Sequence, residues 1–180
     1  MRVLGIDPGI NGAAAILDGG RVLDAIDLPT IGEGSKREIN VPAFQAWLLG
    51  HKTEAGYIEQ VSFGMPPIKD PETGEQRQMG TASAGKFGFA CGEIRATVIC
   101  CAIPVFLATP QQWKKFHNLR GSNKEESRQT ALRLWPEAHA LLARMMDHQR
   151  AEAMLLAAFG TARHSGQAPP PAALPARNEP

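Results

Sequence analysis

Acidic side chains sit in this sequence where a folded protein would pay heavily to leave them unpaired. Asp7 ends the apolar, β-prone run Val3-Leu4-Gly5-Ile6, and Pro8-Gly9 force a turn directly after it. Glu59 lies inside a second short β-prone run, Tyr57-Ile58-Glu59-Gln60-Val61. Glu152 falls within Asp147–Gly160, whose spacing predicts a helix with Glu152, Leu155, Leu156 and Phe159 on one face. His148, four residues earlier, shares that face. Asp147, five residues before Glu152, lies about 140° round a regular helix and can join it only from a cap position. A buried carboxylate is costly unless a cation sits against it. Taken singly, each acid has a plainer role: Asp7 as a turn cap, Glu59 as partner of a buried arginine, Asp147 as an N-cap. Together they form three inward acidic positions on two strands and one helix. That set suits hard divalent cations such as Mg²⁺ or Mn²⁺, and two such ions about 4 Å apart suit phosphodiester hydrolysis. Zinc fits poorly, because Cys91, Cys100 and Cys101 lack Cys-x₂-Cys spacing and occupy an apolar stretch.

The elements that must position these groups follow from the pattern around them. Ala13–Leu17 and Arg21–Ile26 are strand-like and flank the hairpin signal Asp18-Gly19-Gly20. Pro42 to Leu49 is helical, with proline in the first turn. Ser62 to Thr81, rich in proline and glycine, predicts a long loop directly after Glu59, carrying Phe63, Lys69 and Arg77. Phe63 can stack on an unpaired base or staple the loop to the core. Ala82 to Ala102 is helical, and Gly85, Gly88 and Gly92 form a stripe that would let another backbone approach. The final helix is expected to stop at Gly160.

At 180 residues the chain can bury one substantial core, and a single domain over residues 1–163 is expected, followed by a disordered Pro/Ala-rich tail over 164–180. No segment is long and apolar enough to span a membrane, and no charged-then-apolar leader precedes Asp7, so a cytoplasmic protein is expected. The net charge of +1 hides an asymmetry. Residues 1–85 hold 7 Lys and Arg against 11 Asp and Glu, whereas residues 86–180 hold 12 against 7. Bases flanking an acidic site suit a polyphosphate such as DNA, although Lys124-Glu125-Glu126 and Arg128 also read as a solvated helix face.

These residues resemble the RuvC-type Holliday-junction resolvases, above all their phage and prophage relatives, over Met1 to about Arg163. Gly5-Ile6-Asp7-Pro8-Gly9 is similar to the family's first catalytic strand, and Glu59-Gln60-Val61 to its second acidic motif. Ser83-Ala84-x-Lys86-x-Gly88-x-Ala90-x-Gly92 resembles its long helix after the junction-facing loop. Thr109-Pro110-Gln111-Gln112-Trp113-Lys114 and Asn123-Lys124-Glu125 resemble two segments that carry DNA-contacting lysines. Arg150-Ala151-Glu152-Ala153 is similar to the last acidic helix of the phage branch.

The resemblance implies an α/β, RNase H-like fold, a central mixed β-sheet flanked by helices. It also implies a homodimer that resolves four-way DNA junctions by paired nicks, using two Mg²⁺ or Mn²⁺ ions per site. Asp7, Glu59 and Glu152 become metal ligands. Where the bacterial enzymes place an Asp or His three residues before the last acid, this chain has Gln149, so the fourth ligand is Asp147 or His148. Helical geometry favours His148; the oxygen preference of hard cations tips the expectation slightly to Asp147. Lys114 and Lys124 are expected to act on charge near the scissile bond. Phe63, Lys69, Arg77, Ser83, Lys86, Lys115 and Arg128 complete the expected DNA surface. The family's stacking aromatic falls at Ser62, which shifts that role by one residue to Phe63. Rival readings are another RNase H-like nuclease, acting on branched DNA or RNA–DNA hybrids, and a non-catalytic junction-binding module. An actin-like kinase is disfavoured by the lack of an Asp-x-Gly-x-Thr phosphate loop. A helicase partner is not specified by the sequence.

Overall fold

The computed structural model describes residues 1–61, 80–119 and 123–166, together with the backbone of 68–69 and 76–77. The chain opens with three strands, β1 (Arg2–Asp7), β2 (Ala13–Asp18) and β3 (Arg21–Asp27), followed by two-residue strands β4 (Thr30–Ile31) and β5 (Glu38–Ile39). Helix α1 (Val41–His51) leads into β6 (Ala55–Glu59). A two-residue ribbon, β7 (Ile68–Lys69) and β8 (Gln76–Arg77), precedes the long helix α2 (Thr81–Cys100). Then come β9 (Val105–Ala108), α3 (Pro110–Phe116), α4 (Lys124–Leu134), two 3₁₀ turns (Pro136–Leu142 and Met145–Asp147) and α5 (His148–Ser165).

The main sheet runs β3-β2-β1-β6-β9. β1 pairs antiparallel with β2 and parallel with β6, and β6 pairs parallel with β9, so the sheet is mixed as expected. The predicted hairpin is present: Asp18 faces Arg21 across Gly19 and Gly20, whose φ values of 58° and 86° glycine adopts without strain. Alternation along the strands splits the core into two layers. Val3, Ala13, Ala15, Leu17 and Tyr57 pack with Trp113, Met154, Leu155 and Phe159 on one side. Leu4, Ile6, Ala14, Ile16 and Ile58 pack with Phe44, Leu48, Ile94 and Val98 on the other.

Helix α5 lies directly on β1, and Gly5 is the reason it can. A Cβ at Gly5 would come within 2.1 Å of the Ala153 carbonyl oxygen and 2.5 Å of the Ala157 nitrogen, both backbone atoms. Gly5→Ala must therefore lift the helix off the strand. We expect a loss of about 3 kcal/mol, the upper end of overpacking costs, read as a lower urea midpoint.

Gly160 does not end α5. A Cβ there would meet the Tyr57 ring at 2.3 Å, so close packing of that ring requires glycine at this position, and the helix ends only at Gly166, in the left-handed region at φ 65°. Helix α2 begins at Thr81. A Cβ added at Gly85 or Gly92 would meet nothing within 4 Å, so their stripe is not used for close packing among the described residues. No helix among the described residues is long and apolar enough to cross a membrane.

Candidate active site

The same alternation aims the acids. Val3 and Gly5 face α5, so Asp7, two residues on, turns to that side at the end of β1. Tyr57 faces the same layer, which brings Glu59 to that side at the end of the neighbouring parallel strand, where Ile6 lies beside Ile58. Glu152 is in the second turn of α5, one residue before the contact with Gly5.

Asp7, Lys124, His148, Gln149 and Glu152 line one cleft of about 490 Å³, together with Ser83 and Lys86 at the start of α2. Glu59 lines an adjoining depression of about 510 Å³ with Arg95, and Pro8 borders both. The electrostatics tie the three acids together. Burial pushes the Asp7 carboxyl well above its usual range, the negative charges of Glu152 and Glu59 push it further, and Lys124 and Lys114 pull it back. Glu59 is raised by burial; a Trp113 hydrogen bond opposes this, Glu152 adds to it and Lys114 opposes it.

Two buried side chains fix the acids. Trp113, fully buried on α3, donates its indole N–H to Glu59 Oε2 at 2.7 Å. Ser127, buried on α4, donates from Oγ to Glu152 Oε1 at 3.1 Å. Thr109 and Gln112 form a reciprocal cap at the start of α3, which sets the position of Trp113 and Lys114. The Lys114 ammonium stands 5.3 Å from the centre of the Trp113 ring. Sequence reading flagged this segment for its lysine and missed its tryptophan and Ser127, both of which look like ordinary core residues.

The start of α5 settles differently from expectation. Asp147 is 2 % exposed, and its carboxylate accepts from the Arg144 backbone N–H at 2.7 Å and from Arg144 Nε and Nη2 at 2.9 and 2.6 Å. Burial alone would raise its carboxyl, yet these bonds hold it below the ordinary range. Asp147, expected as fourth ligand, is thus engaged by arginine and is not among the residues that line the cleft. Arg150 extends the same network by a bidentate pair with Asp27 at 2.7 and 2.8 Å. His148 does line the cleft, with Nδ1 3.3 Å from the Met145 carbonyl; when Nδ1 donates there, Nε2 carries the lone pair.

Of the expected DNA contacts, Ser83, Lys86 and Lys124 border the cleft, and Lys115 is exposed on α3. Lys86 donates to the Ser35 carbonyl at 2.7 Å. Arg128, also expected on the DNA surface, forks onto Glu125 at 2.7 and 3.0 Å and reaches the Leu142 carbonyl at 2.8 Å, which ties α4 to the 3₁₀ turn after it. Phe63 lies outside the described residues, as do the side chains of Lys69 and Arg77 on β7 and β8.

His117 locks α3 to α5. Its Nε2 lies 2.7 Å from the Leu155 carbonyl oxygen, and burial drives its pKa from 6.5 to about 4, against the pull of that carbonyl. Below pH 6.5 the unfolded chain takes up the proton first. The stability from neutral His117 is therefore complete above pH 6.5 and is lost as pH falls through about 4, a loss of about 3 kcal/mol. Urea midpoints at pH 7 and pH 4.5 should show this slope in the wild type and a shallower one in His117→Gln.

The donor set fits divalent metal. Asp7, Glu59 and Glu152 offer carboxylate oxygens, His148 offers an imidazole nitrogen, and the mutual repulsion around Asp7 is the strain a cation relieves. Among the described residues, no three His, Cys, Asp or Glu side chains are already drawn close enough to enclose an ion.

Strand order, the mixed pairing and helices on both faces define an RNase H-like fold. Solved structures of RuvC share it. RuvC of T. thermophilus in complex with a Holliday junction substrate matches with a TM-score of 0.59 at 21% identity, covering 94% of this chain and 99% of that one. A Thermus thermophilus RuvC structure matches with a TM-score of 0.50 at 20% identity and the same coverage of both chains. No protein-family model matches the chain, and no curated protein matches it by sequence.

Proposed function

We propose that this protein is a metal-dependent endodeoxyribonuclease that resolves four-way DNA junctions by paired symmetric nicks, acting as a homodimer. The observation that carries this reading is Asp7 desolvated between Glu59 and Glu152, with Lys114 and Lys124 countering the negative charge. The RuvC solved with a Holliday junction substrate, which shares the fold, supports the choice of DNA over other phosphodiesters.

Asp7, Glu59, Glu152 and His148 are the residues that would hold the ions. Two Mg²⁺ or Mn²⁺ ions, when bound, supply Lewis-acid activation of water and neutralise charge in an in-line displacement. The protein contributes orientation and charge. Trp113 and Ser127 hold the Glu59 and Glu152 carboxylates so that little reorganisation is left for the reaction. Lys124 and Lys114 offset phosphate charge along the cleft, and Ser83 and Lys115 extend the phosphate path on either side. Phe63, Lys69 and Arg77, between Glu59 and α2, meet the junction from the segment after the second acid.

The test is a fixed synthetic four-way junction incubated with the purified protein. Nicks at symmetric positions on two opposed strands, present with Mg²⁺ and abolished by EDTA, are expected. Cuts confined to single flaps or to RNA–DNA hybrids would replace junction resolution with another nuclease activity.

A further inference from the structure

Arg37 is an arginine that the chemistry above does not use. It follows the 3₁₀ turn Gly34–Lys36 and immediately precedes β5. Its guanidinium is turned towards the segment that follows Asp7. Nη2 donates to the Ile10 carbonyl at 3.0 Å, Nη1 to Asn11 Oδ1 at 2.9 Å, and Nε lies 3.4 Å from Thr30 Oγ1. Among the described residues no carboxylate pairs with it, so the fork is directed at neutral acceptors on a turn rather than at an acid.

That turn matters because of where it begins. Pro8 to Gly12 is the only covalent link between Asp7 and β2, and it closes on itself through the Gly12 N–H, which donates to the Gly9 carbonyl at 3.0 Å. Gly9 sits at φ 137°, a conformation other residues rarely adopt, and a Cβ there would come within 3.1 Å of the Phe87 ring on α2. Gly12 is equally confined, with the Asp7 carbonyl oxygen 2.1 Å from its Cβ position. Ile10, Asn11 and Gly12 all line the cleft with Asp7. The segment that carries Arg37 is itself tethered on its far side, where Lys86 of α2 donates to the Ser35 carbonyl at 2.7 Å.

We propose that Arg37 is a positioning residue for the cleavage reaction: with Lys86 it makes residues 33–37 a strut between α2 and the Pro8–Gly12 turn, and so fixes the carboxylate of Asp7. The inference rests on the junction-nicking reading for its kinetic arm alone. A planar fork that bonds two acceptors on adjacent residues restrains the turn in both translation and rotation, which a lysine point charge does not. Loss of the fork lets the turn fluctuate, and small displacements of a reacting group are expensive in rate.

The experiment compares wild type with Arg37→Ala and Arg37→Lys. Amide hydrogen exchange at Gly12, without DNA, should quicken at least tenfold in Arg37→Ala. The single-turnover nicking rate on the four-way junction should fall at least tenfold, with the junction Kd within threefold of wild type. Millimolar guanidinium should restore part of the rate to Arg37→Ala, and Arg37→Lys should fall between the two.

Unchanged exchange together with unchanged nicking would overturn the proposal. So would a rate loss matched by an equal rise in Kd without faster exchange, since Arg37 would then be holding phosphate. If Arg37→Ala does not fold, Asn11→Ala removes one acceptor of the fork and must give the same pattern at smaller size. If wild type itself nicks no junction, the functional reading fails, while the exchange at Gly12 still decides the strut.

Discussion

Asp7→Asn is expected to melt at a higher temperature than the wild type in EDTA and to nick junctions at least a thousandfold more slowly. The amide keeps the shape of the carboxyl and removes a charge that burial and the neighbouring Glu152 and Glu59 both oppose. Each kcal/mol so relieved is worth about 2–4 °C in a domain of this size. Because the folded-state pKa of Asp7 is raised, its ionisation works against the fold increasingly as pH rises above its usual value of 3.8. Asp7→Asn should flatten that decline. Added Mg²⁺ should raise the melting temperature of the wild type by mass action and leave that of Asp7→Asn nearly unchanged. Thermal melts with and without Mg²⁺, paired with nicking rates, check all three outcomes. A variant more stable and inactive identifies a site whose geometry is held against its own repulsion.

The second large effect separates two adjacent residues. His148→Ala should reduce nicking by about 10- to 100-fold, the range typical for loss of a group that tunes or completes a metal site, with little change in melting temperature. Asp147→Asn should do the reverse. It removes the charge and replaces one of the two oxygens that accept from Arg144 with an amide donor, which should cost about 1–3 kcal/mol, while nicking falls less than tenfold. Titrating Mn²⁺ against both variants provides the check: His148→Ala should need more metal for half-maximal rate, and Asp147→Asn should not. If Asp147→Asn proves the metal-sensitive one, the fourth ligand returns to the carboxylate and the Arg144 contact must open on binding.

The difference between these neighbours shows what a sequence can carry. Asp7, Glu59 and Glu152 were legible because a carboxylate inside an apolar run violates the local pattern, and the violation itself points to a site. The expectation for Asp147 weighed ligand chemistry without its competitor: Arg144, three residues earlier, chelates it locally. Gly160 reads as a helix stop by propensity, whereas the Tyr57 ring packed beside it leaves no room for a Cβ and so accounts for a glycine inside the helix. Trp113 and Ser127 are invisible in the same sense, since nothing in a buried indole or hydroxyl announces an acid brought to it from another element. Arg37 gave no signal at all. Its fork acceptors are a carbonyl 27 residues away and an amide oxygen 26 residues away, a pairing set by tertiary structure alone.

The seating of α5 on Gly5 has a further corollary for how the acidic cluster comes together. The strand that bears the first acid ends at Asp7, and the helix that bears the last begins only at His148. Contacts so distant along the chain form slowly, because a long loop must close before they are rewarded. A nascent polypeptide therefore holds Asp7 and Glu59 well before it holds Glu152. The three acids form one cluster only once α5 has docked on Gly5.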